Sequence, residues 1–244
     1  MVDVSPADLE RVRALWRDLA DAPGGFRQTE LLVVGSDAHR LSPLGWCGIV
    51  ELQGAVVVAC PSAVADRVRH LLAGADPGQL VEPRYVSELL DPADTLGPAV
   101  LLYGRPSVGA QSMARNAIGP VDIADHRVRL VCEDASQAER EETGIDETTS
   151  GAYLSFADDG SPASVCAWRE WPHGVAHMSS LTATSFRRKG LGAAAAVAAL
   201  DAADARSLLP QWRAAHWNAG SLALARSIGL HQVGSQFSVM LAIV

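Results

Sequence analysis

Apolar positions along this chain alternate between two spacings, and the switches mark out its elements. Leu9, Val12, Trp16 and Leu19 recur at three- and four-residue steps, which predicts one amphipathic helix. Ser5-Pro6-Ala7-Asp8 opens it with an N-cap serine, a first-turn proline and an early acid. Pro23-Gly24-Gly25 closes it. Leu31–Val34, Trp46–Leu52 and Ala55–Val58 read as strands, the last two joined at Gln53-Gly54. Pro61-Ser62 opens a helix with Val64, Val68 and Leu71 on one face. A short helix is expected over Tyr85–Leu90 and a buried strand over Ala99–Tyr103.

Residues 104–125 are rich in small and turn-prone types without sustained periodicity, and are read as a linker or extended crossing segment. Val128–Val131 then alternates like a strand, and Ala135–Thr143 reads as a short acidic helix. Tyr153–Phe156 and Ser164–Trp168 form a hairpin turned at Asp159-Gly160. Val175–Thr182 is the next strand, followed by a helix through Ala205. Gln211–His216 is a strand, Asn218 caps a helix carrying Leu222, Leu224 and Ile228, and Phe237–Val244 is a final strand. No internal sequence repeat is visible. The expected fold class is α/β (α+β), divided as an N-terminal α/β domain over 1–108, a linker over 109–125 and a second domain over 126–244.

The bulk numbers narrow the setting. A chain of 244 residues with 48% hydrophobic and 20% charged residues can bury an ordinary core. A formal net charge of −8 argues against nucleic acid as partner. Cys47, Cys60, Cys132 and Cys166 show no metal-ligand spacing, so no metal is expected. Scattered cysteines of this kind fit a reducing, cytoplasmic location. The first ten residues carry neither a basic nor an apolar signal region, and the alanine run at 193–199 is too short to span a membrane.

One stretch carries chemistry. Arg187-Arg188-Lys189-Gly190-Leu191-Gly192 joins the strand at 175–182 to the following helix. A helix opening on such a loop offers free N–H groups and the positive end of its dipole, a site for phosphate or pyrophosphate. Glycine allows close approach of a ligand to the backbone, and the three cations add attraction.

With its flanks, this stretch resembles the GNAT superfamily of acyl-CoA-dependent N-acyltransferases. Three features carry the resemblance: R-x-x-G-x-G at 187–192 between strand and helix, the element order after Val128, and Asn218-Ala219-Gly220-Ser221 followed by Leu222 through Gly229-Leu230. It covers roughly 126–244, and the first half is a candidate degenerate copy of the same fold. The resemblance implies a mixed, mostly antiparallel sheet whose central strands splay apart. It implies acetyl-CoA as acyl donor, with Arg187, Arg188, Lys189, Gly190, Leu191, Gly192 and Ala193 at the pyrophosphate. Ser180, Leu181 and Thr182 would meet the pantetheine arm and acyl group, with Asn218 and Ser221 across the cleft. The backbone N–H of Leu181 is the expected oxyanion donor.

The implied reaction is direct attack of an acceptor amine on the thioester, without a covalent enzyme intermediate. Many family members carry a tyrosine where this chain has Ala225, so either Ser221, water or another group protonates the departing thiolate, or that step needs no dedicated acid, or the domain does not catalyse the transfer. His177 and His216 are candidate bases; Glu141 and Glu142 are further candidates. Trp168 reads as core, and Glu170, Trp171 and His173 as rim of the acceptor pocket. Only about one helix fits between 134 and 150 where the family has two, so the N-terminal half or a second subunit is expected to complete the acceptor wall. The acceptor is a small-molecule or protein amine, with net charge favouring a cationic one. The protein is expected to be a monomer or homodimer without membrane partners. Two other readings stay open: a non-catalytic acyl-CoA-binding domain acting as sensor or structural partner, and another acyl-CoA reaction on the same fold.

Overall fold

The structure, a computed structural model, describes residues 4–27, 30–107 and 109–242. Among these residues ten strands form one sheet, in the order β1-β3-β2-β10-β4-β9-β8-β7-β6-β5. The strands are β1 Leu31–Gly35, β2 Cys47–Leu52, β3 Ala55–Cys60, β4 Pro92–Tyr103, β5 Ala117–Val121, β6 Ala152–Phe156, β7 Pro162–Trp171, β8 Val175–Thr182, β9 Leu209–Ala215 and β10 His231–Leu241. Only β1–β3 and β8–β9 pair in parallel. The mixed, mostly antiparallel sheet is as the sequence implied.

The helices are α1 Pro6–Ala20, α2 Ala65–Leu71, α3 Pro83–Leu90, α4 His126–Glu133, α5 Gln137–Thr143, α6 Leu191–Ala205 and α7 Ala219–Ser227. Ser5 caps α1 by accepting the Asp8 N–H at 3.1 Å. Val12, Leu15 and Trp16 of α1 pack against Val50, Val57, Leu101, Tyr103, Val175 and Leu209 on one face of the sheet. On the opposite face α6 packs Ala195, Ala196, Ala199 and Leu200 against Trp168, Met178, Trp212 and Ala214. The small side chains of α6 bring its backbone close to the sheet, which matters for the loop that opens it.

The two halves of the chain share the sheet. β10, the last strand, pairs antiparallel with β2 through Gly234↔Leu52 to Val239↔Cys47, and on its other edge with β4. β4 in turn pairs with β9 from Ala99↔Ala215 to Tyr103↔Gln211. A strand from the first half therefore lies between two strands of the second. Helix α1 adds polar ties. Arg105 makes a two-pronged contact with the buried Asp8 and reaches Asp204 at 2.6 Å, and Arg11 donates to Gly174 O and Ser207 O.

Two local readings are corrected. Val128–Val131, expected as a strand, lies in α4, where Val128 and Val131 are the buried positions. Asp125 begins that helix by accepting the Arg127 N–H at 2.8 Å. The strand that opens the second half is instead β5, inside the stretch read as a linker. Between 134 and 150 α5 is the one α-helix, as expected, and α4 precedes it where a strand was read. The final strand was expected to reach Val244; residues 243–244 lie outside the described ones.

Candidate functional site

β8 and β9 pair over only three positions, Val175↔Leu209, Ala176↔Pro210 and His177↔Gln211. Beyond them β8 continues to Thr182 and β9 to Ala215 without pairing, so the strands diverge. A cavity of about 630 Å³ opens in the gap. Its lining includes His177 through Thr182 of β8, Trp212 and Arg213 of β9, Arg187, Arg188 and Gly190 of the loop, Gly192 and Ala193 at the start of α6, Asn218 and Ser221 at the start of α7, and Glu139 and Glu142 of α5.

Strand alternation decides which backbone groups face this gap. The β7–β8 ladder runs without a register shift, and Ala183 N–H donates to Ala163 O at 2.9 Å. Stepping back by two puts Leu181, Ser179 and His177 in the pairs that exchange hydrogen bonds with β7. Pro210 gives the same answer independently. It has no N–H, so its pairing with Ala176 must use the main-chain groups of Ala176, which face β9. Met178, Ser180 and Thr182 share that orientation. Thr182 O accordingly accepts from Arg187 Nε at 3.1 Å across the loop. The expectation that Leu181 N–H serves as oxyanion donor is therefore corrected: that N–H is turned to β7, and the side chain is buried among Val128, Val131 and Val165. The main chain of Met178 and Ser180 is what faces the gap.

The loop keeps its N–H groups free. Ala193 and Ala194 both donate to Gly190 O, at 3.1 and 3.3 Å, whereas those of Arg188 through Gly192 find no backbone acceptor among the described residues. Gly190 adopts φ 79°, a left-handed conformation, as it enters α6. A Cβ at Gly192 would lie 2.8 Å from Thr182 Oγ1, so only glycine allows this approach of α6 to β8. The three cations do different things. Arg187 is held by Glu139 at 2.7 Å and by Thr182 O. Lys189 lies 5.3 Å over the Phe186 ring. Arg188 is exposed and lines the cavity. Lys189 and Leu191 are not in the lining.

On the face of β8 and β9 away from α6 runs a polar chain. Trp16 Nε1 donates to Tyr103 Oη at 2.8 Å, Gln211 Nε2 donates to the same oxygen at 2.6 Å, and Gln211 Oε1 lies 2.8 Å from His177 Nδ1. A carbonyl oxygen only accepts, so His177 Nδ1 carries the proton and Nε2 keeps its lone pair. The ring stacks on Trp171 with centroids 4.4 Å apart. Burial, reinforced by the charge of Arg213, pushes the His177 pKa down to about 3. The imidazole is thus neutral near pH 7. On the α6 side, Trp212 Nε1 donates to Ser221 Oγ at 2.8 Å, leaving the serine's own proton free to be donated. Ser221 N–H is capped by Asn218 Oδ1, and Asn218 Nδ2 reaches Glu142 at 3.3 Å. Ala225 is fully buried in the core beneath them.

His216 does not join this group. It is exposed, lies outside the cavity lining, and its Nδ1 sits 3.3 Å from Pro98 O. Nor does His173, which pairs with Asp18 of α1 at 2.6 Å. Trp168 is core, as read. Glu142 lines the cavity, whereas Glu141 accepts from Gln137. Sequence reading missed Gln211, Trp212 and Arg213. The available signal was the period-two pattern of Leu209-Pro210-Gln211-Trp212-Arg213, which puts two polar residues on one face of a strand otherwise apolar. Among the described residues no cluster of side chains could hold a metal ion, and no helix is long and apolar enough to cross a membrane.

Residues 123–230 match the sequence model of the Acetyltransferase (GNAT) family. No curated protein matches the chain. Among solved structures, a putative GNAT-family acetyltransferase from Novosphingobium aromaticivorans is 16% identical, over 62% of this chain and 67% of that one, with a TM-score of 0.45. A GCN5-related N-acetyltransferase-like protein from Streptococcus suis is 15% identical, over 75% and 70%, with a TM-score of 0.44. A tandem GNAT protein from the clavulanic acid biosynthesis pathway is 14% identical, over 98% and 97%, with a TM-score of 0.45. All three are similarities of backbone path alone.

Proposed function

We propose, from the match of residues 123–230 to the GNAT acetyltransferase family model, that the protein is an acetyl-CoA-dependent N-acetyltransferase that works by direct attack of an amine on the thioester. The observation that carries this reading is the gap between β8 and β9, with free loop N–H groups at its entrance. The pyrophosphate of the donor fits the N–H groups of Arg188 through Gly192, with Arg188 as the cation available to it. The pantetheine arm fits the unpaired edge of β8, where the main chain of Met178 and Ser180 faces the gap, as an added strand would. An N–H of that pair is the donor placed to hold the oxyanion as the thioester carbon becomes tetrahedral.

The amine approaches from the face carrying His177, Gln211 and Arg213. His177, neutral and proton-bearing at Nδ1, acts there as a hydrogen-bond acceptor that orients the amine. It is not a base that titrates near pH 7. As the C–S bond breaks, the attacking nitrogen gives up its proton to water, and Ser221 passes its own proton to the thiolate and takes one back from water, with Trp212 Nε1 donating to the serine oxygen throughout. This assigns to Ser221 the work that a tyrosine at position 225 would do. Alignment of amine and thioester supplies most of the acceleration.

Free-thiol release from acetyl-CoA, measured over a panel of amines, tests the proposal. Amine-dependent release supports it. Tight CoA binding with no release for any amine would overturn it in favour of a sensor or structural role, the reading that the buried Ala225 favours.

A further inference from the structure

We propose that Arg213 is the specificity residue for the acceptor, and that the acceptor carries a carboxylate beside its amine, as an amino acid does. This rests on the transferase reading above. Arg213 lies two residues beyond Gln211 on β9, on the same face as Gln211 and its partner His177. That spacing puts it about 7 Å further along the diverging strand, across the gap from the stretch of β8 where the acyl group would sit. Its side chain is exposed to the cavity that it lines.

Two features mark it as held for a ligand. The first is its lack of a counter-ion. Arg169, Arg187 and Arg105 are each paired with a carboxylate, at 2.9, 2.7 and 2.5 Å. Arg213 makes no ion pair among the described residues; its one hydrogen bond runs from Nη1 to Gln236 Oε1 at 3.2 Å. The second is how that bond is fixed. Gln236 is buried, and its Nε2 donates to Leu41 O at 2.5 Å. The amide therefore has to present its oxygen to Arg213, which aims the guanidinium while the rest of its five N–H donors stay available. An amide holds the fork without neutralising it.

A planar guanidinium with free donors suits a carboxylate, which it can grip with two parallel hydrogen bonds. The neighbouring imidazole is neutral, so it neither competes for the anion nor repels the amine. An acceptor with a carboxylate on Arg213 and an amine near His177 would be held at two points, which fixes the direction of attack. The net charge of −8 still favours the ammonium end during approach, while Arg213 supplies a local site for the other end.

The test compares free α-amino acids with their carboxamides, which keep the amine and lose the negative charge. Thiol release with acetyl-CoA is measured for both sets, and binding of both sets to the CoA-loaded protein is measured by calorimetry. The expected result is a kcat/KM at least about tenfold higher for the acids, the loss of a charge-assisted pair being worth that much or more. Arg213→Gln should abolish the preference while leaving the KM for acetyl-CoA unchanged. Gln236→Leu should weaken it, and Arg213→Lys should restore part of it. Carboxamides used as well as acids, or a preference that survives Arg213→Gln, would overturn the proposal. Arg213-dependent binding of amino acids with no thiol release would uphold the carboxylate site and overturn the transferase reading. Absence of both would overturn both.

Discussion

The Oε1 atom of Gln211 lies 2.8 Å from Nδ1 of His177, and that contact fixes the chemical state of the histidine. Gln211 Nε2 meets the buried Tyr103 hydroxyl, which also accepts from Trp16, so Oε1 is the amide atom that faces the ring. Helix α1, in the first half of the chain, is thus linked through Tyr103 and Gln211 to a side chain lining a cavity in the second. A neutral imidazole with a free Nε2 is an acceptor, and its weak basicity follows from burial and from the cation at Arg213.

The expected consequence is a histidine that does not titrate in the physiological range. By proton NMR, the His177 ring should keep its neutral shift from pH 8 to about pH 5, since its pKa is near 3. Gln211→Glu should reverse this. A carboxylate facing the Nδ1 proton favours the imidazolium, so the transition should move up towards or beyond the ordinary value near 6.5. Transition of the native ring near pH 6.5 would refute the assignment.

Stability should depend on pH through the same group. The unfolded chain takes up a proton at His177 near pH 6.5, while the folded chain resists until about pH 3. The unfolded state therefore binds more protons across that window, and stability falls as the pH is lowered through it. Above pH 6.5 the group contributes no slope. Urea unfolding at pH 7.5 and pH 5 should show a smaller acid loss for His177→Gln than for the native protein. Equal losses would show that His177 is not held neutral by the fold.

How much of this was legible in the sequence depends on how local each cause is. β8, the loop and α6 were read closely because cap, glycine and alternation sit side by side in the chain. Ser5, Asn218 and Gly160 likewise act on their own neighbours. β5 was hidden because Ala117-Ile118-Gly119-Pro120-Val121 has no apolar alternation and draws its partners from β6, more than thirty residues on. Val128 and Val131 belonged to a helix because Asp125 caps it, a signal weaker on paper than four alternating residues. Leu181 has the right position but the wrong parity, which is set by the ladder with β7 and not by the local sequence. For Arg213 the strand's alternation gave a face and nothing more; its meaning comes from Gln236 and Leu41, far away in the chain.

The loop should separate its two arginines. Arg188 faces the cavity without a carboxylate partner, so Arg188→Ala should weaken CoA binding by about tenfold, the scale of one charge-assisted phosphate contact, with little change in stability. Arg187 ties α5 to the end of β8 through Glu139 and Thr182, so Arg187→Ala should loosen that junction as well as reduce attraction. Gly192→Ala is the stricter test. The added methyl would lie 2.8 Å from Thr182 Oγ1, and overpacking of this kind costs about 1–3 kcal/mol. Calorimetric titration with CoA and thermal unfolding distinguish the three variants. Unchanged CoA affinity in both Arg188→Ala and Gly192→Ala would mean that the loop does not hold the donor.

The shared sheet makes the halves interdependent, and this can be tested by cutting the chain. A fragment of residues 123–244 keeps the family-matched segment but loses β4, the strand that pairs with both β9 and β10. It also loses β2, the partner of the other edge of β10. Both edges of β10 and one edge of β9 would then be open, bearing unpaired N–H and C=O groups beside apolar side chains such as Phe237 and Val239, which are fully buried in the intact protein. Tyr103 would go too, and with it the anchor of Gln211. The expected outcome is a fragment that aggregates or unfolds without cooperativity. Co-expression of residues 1–122 should recover soluble, cooperatively folding material, because β4 can add between β9 and β10 from a separate chain. A monomeric 123–244 fragment with full CoA affinity and sharp thermal unfolding would show that β4 is dispensable, and that the gap between β8 and β9 is held open by the second half alone.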